Sequence, residues 1–284
     1  MCNKGDHRLF QIKELLSEAA GFLRAAGIEE PRLEAGLLLA QVLETDRTRL
    51  LMEEDRAVEE EKEGIFRDLI RRRADGEPFH YLTGHKEFMG RAFLVDSRVL
   101  IPRNDTAVLA EAVMEHDPRG ILVDVCTGSG ILAVTLKLTF PELDVYGLDL
   151  SEEALAVARE NGRRLGADVT WLNSNLLEGL PEVRPDVVMA NPPYIPTGDL
   201  EGLPGDVRRE PAGALDGGED GLFLYRRLVP QAAGILKNGG LLAVEIGYNQ
   251  GEEVKDLFLQ AGFAAVEIRK DYAGLSRVVL GVKP

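Results

Sequence analysis

One tetrapeptide in this chain carries residue types that could do covalent chemistry on nitrogen: Asn191-Pro192-Pro193-Tyr194. The two prolines restrict the backbone and remove two N–H donors, which leaves carbonyl groups able to point outward as acceptors beside the Asn191 side-chain oxygen. Two acceptors then converge on one NH₂ group, and Tyr194 offers a flat face on which a conjugated planar group can stack. The pattern suits an amide or aromatic amine nitrogen, a poor nucleophile because its lone pair is delocalised. Acceptors that grip its hydrogens as it pyramidalises would stabilise the charge that develops there, and an electrophilic methyl group held in line would complete a transfer. No strong base is needed, because the nitrogen becomes acidic once alkylated and can lose its proton late. Asn191, Pro192 and Tyr194 are therefore the candidate catalytic residues, with Pro193 beside them at the substrate.

A second constellation lies upstream. An apolar run ends at Asp124-Val125 and passes through Cys126-Thr127-Gly128-Ser129-Gly130 into the apolar stretch Ile131 to Leu138. A strand, a glycine-rich turn and a helix in that order let a ligand approach the main chain at a helix N-terminus. The next strand candidate ends at Asp149, 19 residues after Gly130, where a carboxylate can accept from both hydroxyls of a ribose; Ser151 then caps the following helix. Gly128 to Ala133 also satisfies the dinucleotide pattern G-x-G-x-x-A, so the loop indicates an adenosine-type cofactor and leaves a nicotinamide or flavin open.

Both constellations need a framework, and the apolar periodicity supplies one. From Gln11 to about Asp75, apolar residues recur at helical spacing: Leu15, Leu16, Ala19 and Leu23, then Leu37, Leu38 and Val42, then Ile65, Phe66, Leu69 and Ile70. Gly27 stops the first helix, Pro31 opens the second, and Gly76 with Pro78 ends the last. The acidic run Glu59 to Glu63 reads as a solvated helix face. Between Tyr81 and Pro102 the pattern turns to short β-prone pieces, Glu87-Phe88, Ala92 to Val95 and Val99 to Ile101, as in a hairpin connector. After it, Asn104 or Asp105 can cap a helix that buries Val108, Leu109, Ala112 and Val113. Strand candidates follow at 121–125, 145–148, 169–172, 187–190, 241–246, 264–268 and 277–280, with helices between most of them. The expected organisation is a helical domain over residues 1–80, a β-hairpin connector over 81–104, and over 105–284 an α/β domain whose mostly parallel sheet is covered on both faces. Ligands of such sheets bind beyond the carboxyl ends of the strands, where the order reverses, and both constellations sit in loops of that kind.

Composition narrows the partners. At 284 residues and 45% hydrophobic the chain can bury a substantial core, and no run approaches the length of a membrane helix. Met1 to Phe10 lacks an apolar stretch behind a basic start, so a cytoplasmic address is expected. The two cysteines, Cys2 and Cys126, do not make a disulfide framework. His7, His80, His85 and His116 are scattered without partners at metal-ligand spacing, so no metal is expected. The net charge of −15 counts against nucleic acid as the main ligand, and Arg71-Arg72-Arg73, the one basic cluster, reads as a solvated helix end.

These residues resemble the release-factor glutamine methyltransferase family, protein-(glutamine-N5) methyltransferases known as PrmC or HemK, over nearly the whole chain. Besides the Asn191 tetrapeptide, the matching pieces are Gly76-Glu77-Pro78, Tyr81, Gly84, Glu87-Phe88, Gly90, Ile101-Pro102-Arg103, Thr127 to Gly130 and Asp149. Further on come Glu210-Pro211, Ala214 to Gly218, Asp220-Gly221-Leu222, Glu245-Ile246-Gly247, Gln250, Lys270-Asp271, Gly274 and Arg277. The resemblance implies a Rossmann-like sheet that binds S-adenosylmethionine, and methylation of the glutamine side-chain amide in the Gly-Gly-Gln tripeptide of class-one peptide release factors. It further implies that the helical domain helps recognise the release factor; a monomer is expected. It places the cofactor against Cys126, Thr127, Gly128, Ser129, Gly130, Asp149, Asn175, Leu176 and Asn191, and the substrate against the Asn191 tetrapeptide and Arg103.

The chain departs from the family pattern at four positions: Asn104 and Ala107 stand in place of proline and glutamate, Cys126 in place of glycine, and Asn175 in place of aspartate. Asn175 can still accept from an adenine amino group, though without charge, so cofactor affinity is what this change touches. Two other substrates fit the same tetrapeptide: a glutamine of a ribosomal protein, and the adenine amino group of DNA or RNA. Acidity disfavours the polyanion, and the Glu210 to Leu222 stretch favours the release-factor branch. A binding protein without activity would be expected to lack the Asn191 tetrapeptide or Asp149, and both are intact.

Overall fold

A computed structural model describes residues 9–284, which fall into two compact units, the first running to Gly84 and the second spanning His85–Pro284. Cys2 and His7, and most of the segment Met1 to Phe10, lie outside the described residues.

The first unit is helical: α1 (Ile12–Ala25), α2 (Pro31–Val42), α3 (Arg47–Met52), α4 (Glu60–Ala74) and α5 (Phe79–Thr83). Its core gathers Ile12, Leu15, Ala19, Leu23, Leu38, Leu39, Phe66, Ile70 and Leu82. Gly27 ends α1 as expected: its φ of 81° lets the Ile28 N–H reach back to the Leu23 carbonyl at 3.1 Å. Pro31 takes the first turn of α2, where no N–H is needed. Two expected core positions are wrong, since Leu37 and Ile65 are exposed. Ala35, Leu38, Leu39 and Val42 make the inward stripe of α2, and Leu37 falls outside it. The Glu34 carboxylate of α2 ties that helix to α4, accepting from Arg73 Nε at 2.6 Å. The helical unit also includes α5, because Leu82 packs into its core and Gly84, at φ 74°, closes the helix.

The second unit opens with a hairpin, β1 (His85–Phe88) and β2 (Arg91–Leu94), joined by Met89-Gly90, both at positive φ as a two-residue turn requires. Val99 to Ile101 is not a strand: the Val99 N–H bonds the Asp96 carbonyl in a turn, and the Ile101 N–H is taken by the Glu210 carboxylate at 2.9 Å. Neither Asn104 nor Asp105 caps the next helix; both lie in a 3₁₀ turn, Asn104–Thr106, and Asp105 pairs with Arg277 at 3.1 Å. From there the chain runs α6 (Ala107–Glu115), β3 (Ile121–Val125), α7 (Ile131–Thr139), β4 (Asp144–Asp149), α8 (Glu152–Leu165), β5 (Thr170–Asn173) and β6 (Val187–Ala190). It ends with α9 (Phe223–Ile235), β7 (Leu241–Glu245), α10 (Gly251–Gln260), β8 (Ala264–Lys270) and β9 (Ser276–Val282).

Seven strands make one sheet in the order β5-β4-β3-β6-β7-β9-β8, parallel from β5 to β7, with β9 antiparallel to both its neighbours. The short continuous apolar runs of β3, β6 and β7 are buried on both faces, as such a sheet demands. One cluster packs α6 and α7 on one face, and another packs α9 and α10 on the other. The order reverses between β3 and β6, so the loops after these two strands open side by side. No helix of the described residues is long and apolar enough to cross a membrane.

Candidate active site

Strand register brings the site together. Val125 pairs with Leu148 of β4 and with Ala190 of β6, and Ala190 pairs with Val244 of β7. The next residue on each strand therefore falls in one row: Asp149, Cys126, Asn191 and Glu245. A cavity of about 340 Å³ opens over this row, lined by Cys126 to Ser129, Asp149, Asn175, Leu176, Asn191, Pro193, Thr106 and Arg103. That volume is within the range of sites for small molecules and cofactors.

The half over β3 and β4 is made largely of backbone. Asp149 accepts the Gly128 N–H at 2.8 Å and the Ser151 N–H at 2.9 Å. Burial nonetheless pushes its carboxyl up from the ordinary aspartate value. Behind it Asp124, fully buried, accepts the Thr127 hydroxyl at 2.6 Å and the Ala133 N–H at 3.2 Å, so one carboxylate pins the turn to the first turn of α7. Burial holds this carboxyl at about 7, and its Oδ1 has no partner. Gly128 (φ 55°) has open space where a Cβ would stand, which leaves the main chain bare towards the cavity. Gly130 has a different duty: a Cβ there would come within 2.8 Å of Trp171. Cys126 adopts φ 58°, a left-handed conformation that costs a non-glycine residue about 1 kcal/mol. Burial, and the charges of Asp149 and Asp124, push its thiol up, so it stays neutral.

The half over β6 and β7 is made of side chains. The Asn191 Nδ2 donates to Thr106 Oγ1 at 3.4 Å, which leaves Oδ1 as its remaining polar atom. The Tyr194 carbonyl is held by Gln250 Nε2 at 2.9 Å, and Gln250 is buried beside the end of β7. A glycine loop clasps the tetrapeptide from outside: a Cβ on Gly217 would stand 2.7 Å from Tyr194 Cα, and one on Gly221 would stand 2.3 Å from the Tyr194 carbonyl oxygen. The Ile195 N–H bonds the Leu215 carbonyl and the Gly217 N–H bonds the Ile195 carbonyl. The segment Leu215 to Gly221 thus depends on Gly217 and Gly221 for its close approach to Tyr194. Buried Glu210 fastens its start, accepting Arg103 Nη2 at 2.5 Å and the Ile101 N–H.

Most of the residues singled out in the sequence meet at this cavity. Gly130, Pro192 and Tyr194 are not part of its lining. Pro192 is buried, and the half-buried Tyr194 ring packs against the cluster under α9, with burial pushing its phenol up. Arg103 lines the cavity with its guanidinium committed to Glu210. Asn175 donates to Glu178 at 3.2 Å, so its oxygen is the atom left to accept. Thr106, Asp124, Asn161 and Glu245 take roles that their place in the sequence does not announce. Asn161 of α8, almost fully buried, donates to the Leu94 and Ser129 carbonyls at 3.0 and 2.9 Å and accepts the Leu94 N–H, tying hairpin to turn. A polar residue on the inward stripe Leu155, Ala158, Gly162 was the available signal.

Comparison with known proteins supplies relatives. Residues 14–84 match the family model described as the PrmC N-terminal domain, and residues 103–201 match that of the methyltransferase small domain. The chain is 48% identical over 278 residues to the release factor glutamine methyltransferase of Moorella thermoacetica, covering 96% of this chain and 98% of that one. It is 42% identical over 275 residues to the enzyme of the same name from Geobacter sulfurreducens, covering 96% and 97%. Among solved structures, a methyltransferase from Pyrococcus furiosus shares the fold at a TM-score of 0.52 and 19% identity, over 69% of this chain and 90% of that one.

Proposed function

Because the chain belongs to the release factor glutamine methyltransferase family, we propose that it methylates the side-chain amide nitrogen of the glutamine in the Gly-Gly-Gln segment of class-one peptide release factors, with S-adenosylmethionine as donor. The observation that carries this reading is the row at the strand ends, which sets Asn191 next to the cofactor turn. The fit to the donor rests on the bare main chain at Gly128, the Asp149 carboxylate beside it and the accepting oxygen of Asn175. When bound, S-adenosylmethionine supplies an electrophilic methyl on a sulfonium, whose carbon–sulfur bond breaks with its electron pair to sulfur as the amide nitrogen's lone pair forms the new bond.

The residues of the chain then position and polarise. Thr127 to Gly130, with Cys126, face the amino-acid end of the donor; Asp149 takes the ribose hydroxyls, and Asn175 with Leu176 meets the adenine. Asn191 Oδ1 and the Pro192 carbonyl accept from the target NH₂, and Tyr194, packed behind the lining, backs the wall against which the planar amide lies. Arg103, with Pro193, borders the substrate side. The proton leaves the nitrogen late, to water. The helical unit, which runs to Gly84, serves to recognise the release factor. The enzyme works as a monomer in the cytoplasm, and its acidity disfavours direct contact with nucleic acid.

Mass spectrometry tests this on release factors, ribosomal proteins and an adenine-containing duplex, each incubated with the protein and methyl-labelled S-adenosylmethionine. One added methyl on the Gly-Gly-Gln glutamine is expected. Label on the duplex or a ribosomal protein alone would overturn the substrate while keeping the methyl chemistry.

A further inference from the structure

Behind the amide grip sits a carboxyl group with no role in the scheme above. Glu245 ends β7, and because Ala190 pairs with Val244 it falls beside Asn191 in the row of strand ends. It is 2% exposed, and its Oε2 has no partner. The Thr106 hydroxyl and the Asn191 amide lie against this carboxyl, and both favour its charged form. Thr106 is itself 1% exposed and also receives the Asn191 Nδ2. A carboxylate can only accept, so it draws the Thr106 proton towards itself and leaves a Thr106 lone pair for the asparagine NH₂. Both contacts turn the same end of the Asn191 amide, its nitrogen, towards the protein.

We propose that Glu245, directly and through Thr106, is the positioning residue that fixes which end of the Asn191 amide faces the substrate. This inference rests on the proposed function, in which Asn191 Oδ1 accepts from the target NH₂. A protonated Glu245 becomes a donor, and the asparagine can then turn its oxygen inward. The NH₂ group it would present to the cavity opposes another NH₂ instead of holding it.

Several charges bear on this carboxyl. Arg277 of β9 favours its ionisation and Asp105 of the 3₁₀ turn opposes it. Asp271 engages Arg277 at 2.8 Å, and the neutral phenols of Tyr194 and Tyr225 lie near. Burial outweighs the rest and pushes Glu245 up to about 7, so the turn would fall in the physiological range.

The test is the pH dependence of kcat, from pH 6 to 9, for the full-length protein acting on a class-one release factor with S-adenosylmethionine. Wild-type kcat is expected to rise through an acid limb near neutrality. Glu245→Gln should lower kcat at pH 8 by roughly 10- to 100-fold, as for other misplaced catalytic contacts, abolish the acid limb, and leave the Kd for S-adenosylmethionine within a few-fold. Thr106→Val should show a smaller loss of the same kind, recovered by Thr106→Ser, and it serves if Glu245→Gln fails to fold. A group with only a structural role would lower Tm while leaving the shape of the profile unchanged. Wild-type kcat and an intact acid limb in Glu245→Gln, or in Thr106→Val where that variant stands in, would overturn the inference. A wild-type protein that does not methylate the release factor would overturn the proposed function instead.

Discussion

The two halves of the cavity are built by opposite means. The half over β3 and β4 is a local construction: a turn of five residues, Cys126 to Gly130, fastened by two carboxylates, Asp149 through the Gly128 N–H and Asp124 through the Thr127 hydroxyl and the Ala133 N–H of α7. The half over β6 and β7 gathers Thr106, Asn191, Glu245 and Gln250 from segments far apart in the chain, set together by strand register and side-chain contacts. A backbone cradle suits a ligand that must be held the same way in every cycle. A side-chain grip suits a group whose bonding changes during reaction, because a side chain can be oriented by what stands behind it. The two halves should therefore fail differently, one in affinity and the other in turnover.

The largest effect tests that division directly. Asn191→Ala should reduce kcat by roughly 10²–10³, the usual cost of one preorganised polar contact, with the Kd for S-adenosylmethionine nearly unchanged by calorimetry. A loss mainly in cofactor affinity would erase the distinction. Asp149→Ala should do the reverse, weakening cofactor binding by about 10- to 100-fold as a charged acceptor is lost, with a smaller change in kcat at saturation; the same titration and a turnover assay decide it. Asn161→Ala should act through the cradle alone, lowering stability by about 2 kcal/mol as the Leu94 and Ser129 groups lose their buried partner. Urea denaturation measures it, and kcat at saturating cofactor should hold.

The last effect is one of slope. Asp124 sits at about 7 in the folded protein, above its ordinary 3.8. Between those values the unfolded chain has lost a proton that the native protein keeps, so stability falls as pH rises across that window and levels off above it. Asp124→Asn should lie close to wild type near pH 4 and gain relative to it up to pH 7, read as the difference in Tm. A parallel pair of curves would mean that Asp124 ionises in the fold as it does in water.

Much of this architecture can be read from the chain. Apolar runs located all seven strands of the sheet to within a few residues, and Gly27, Pro31 and Ser151 punctuated their helices as their chemistry requires. The cradle was legible for the same reason that it is local: turn, helix start and carboxylate lie within one βαβ unit. The partners of Asn191 were not, because register is a long-range property. Nothing near Glu245 in sequence states that Val244 pairs with Ala190. Val99 to Ile101 misled for a related reason, since its β-prone residues find a distant carboxylate, Glu210, instead of a neighbouring strand. At Asn104 and Asp105 a local cap lost to an ion pair with Arg277, 172 residues later.

Trp171 fills a slot where Gly130, Gly147 and Gly162 leave room for its ring, and it is the only tryptophan in the chain. The protein thus carries a single indole fluorophore lodged against Gly130, the last glycine of the turn Cys126 to Gly130. Its emission is an optical readout of that turn, free of any competing tryptophan signal and requiring no label.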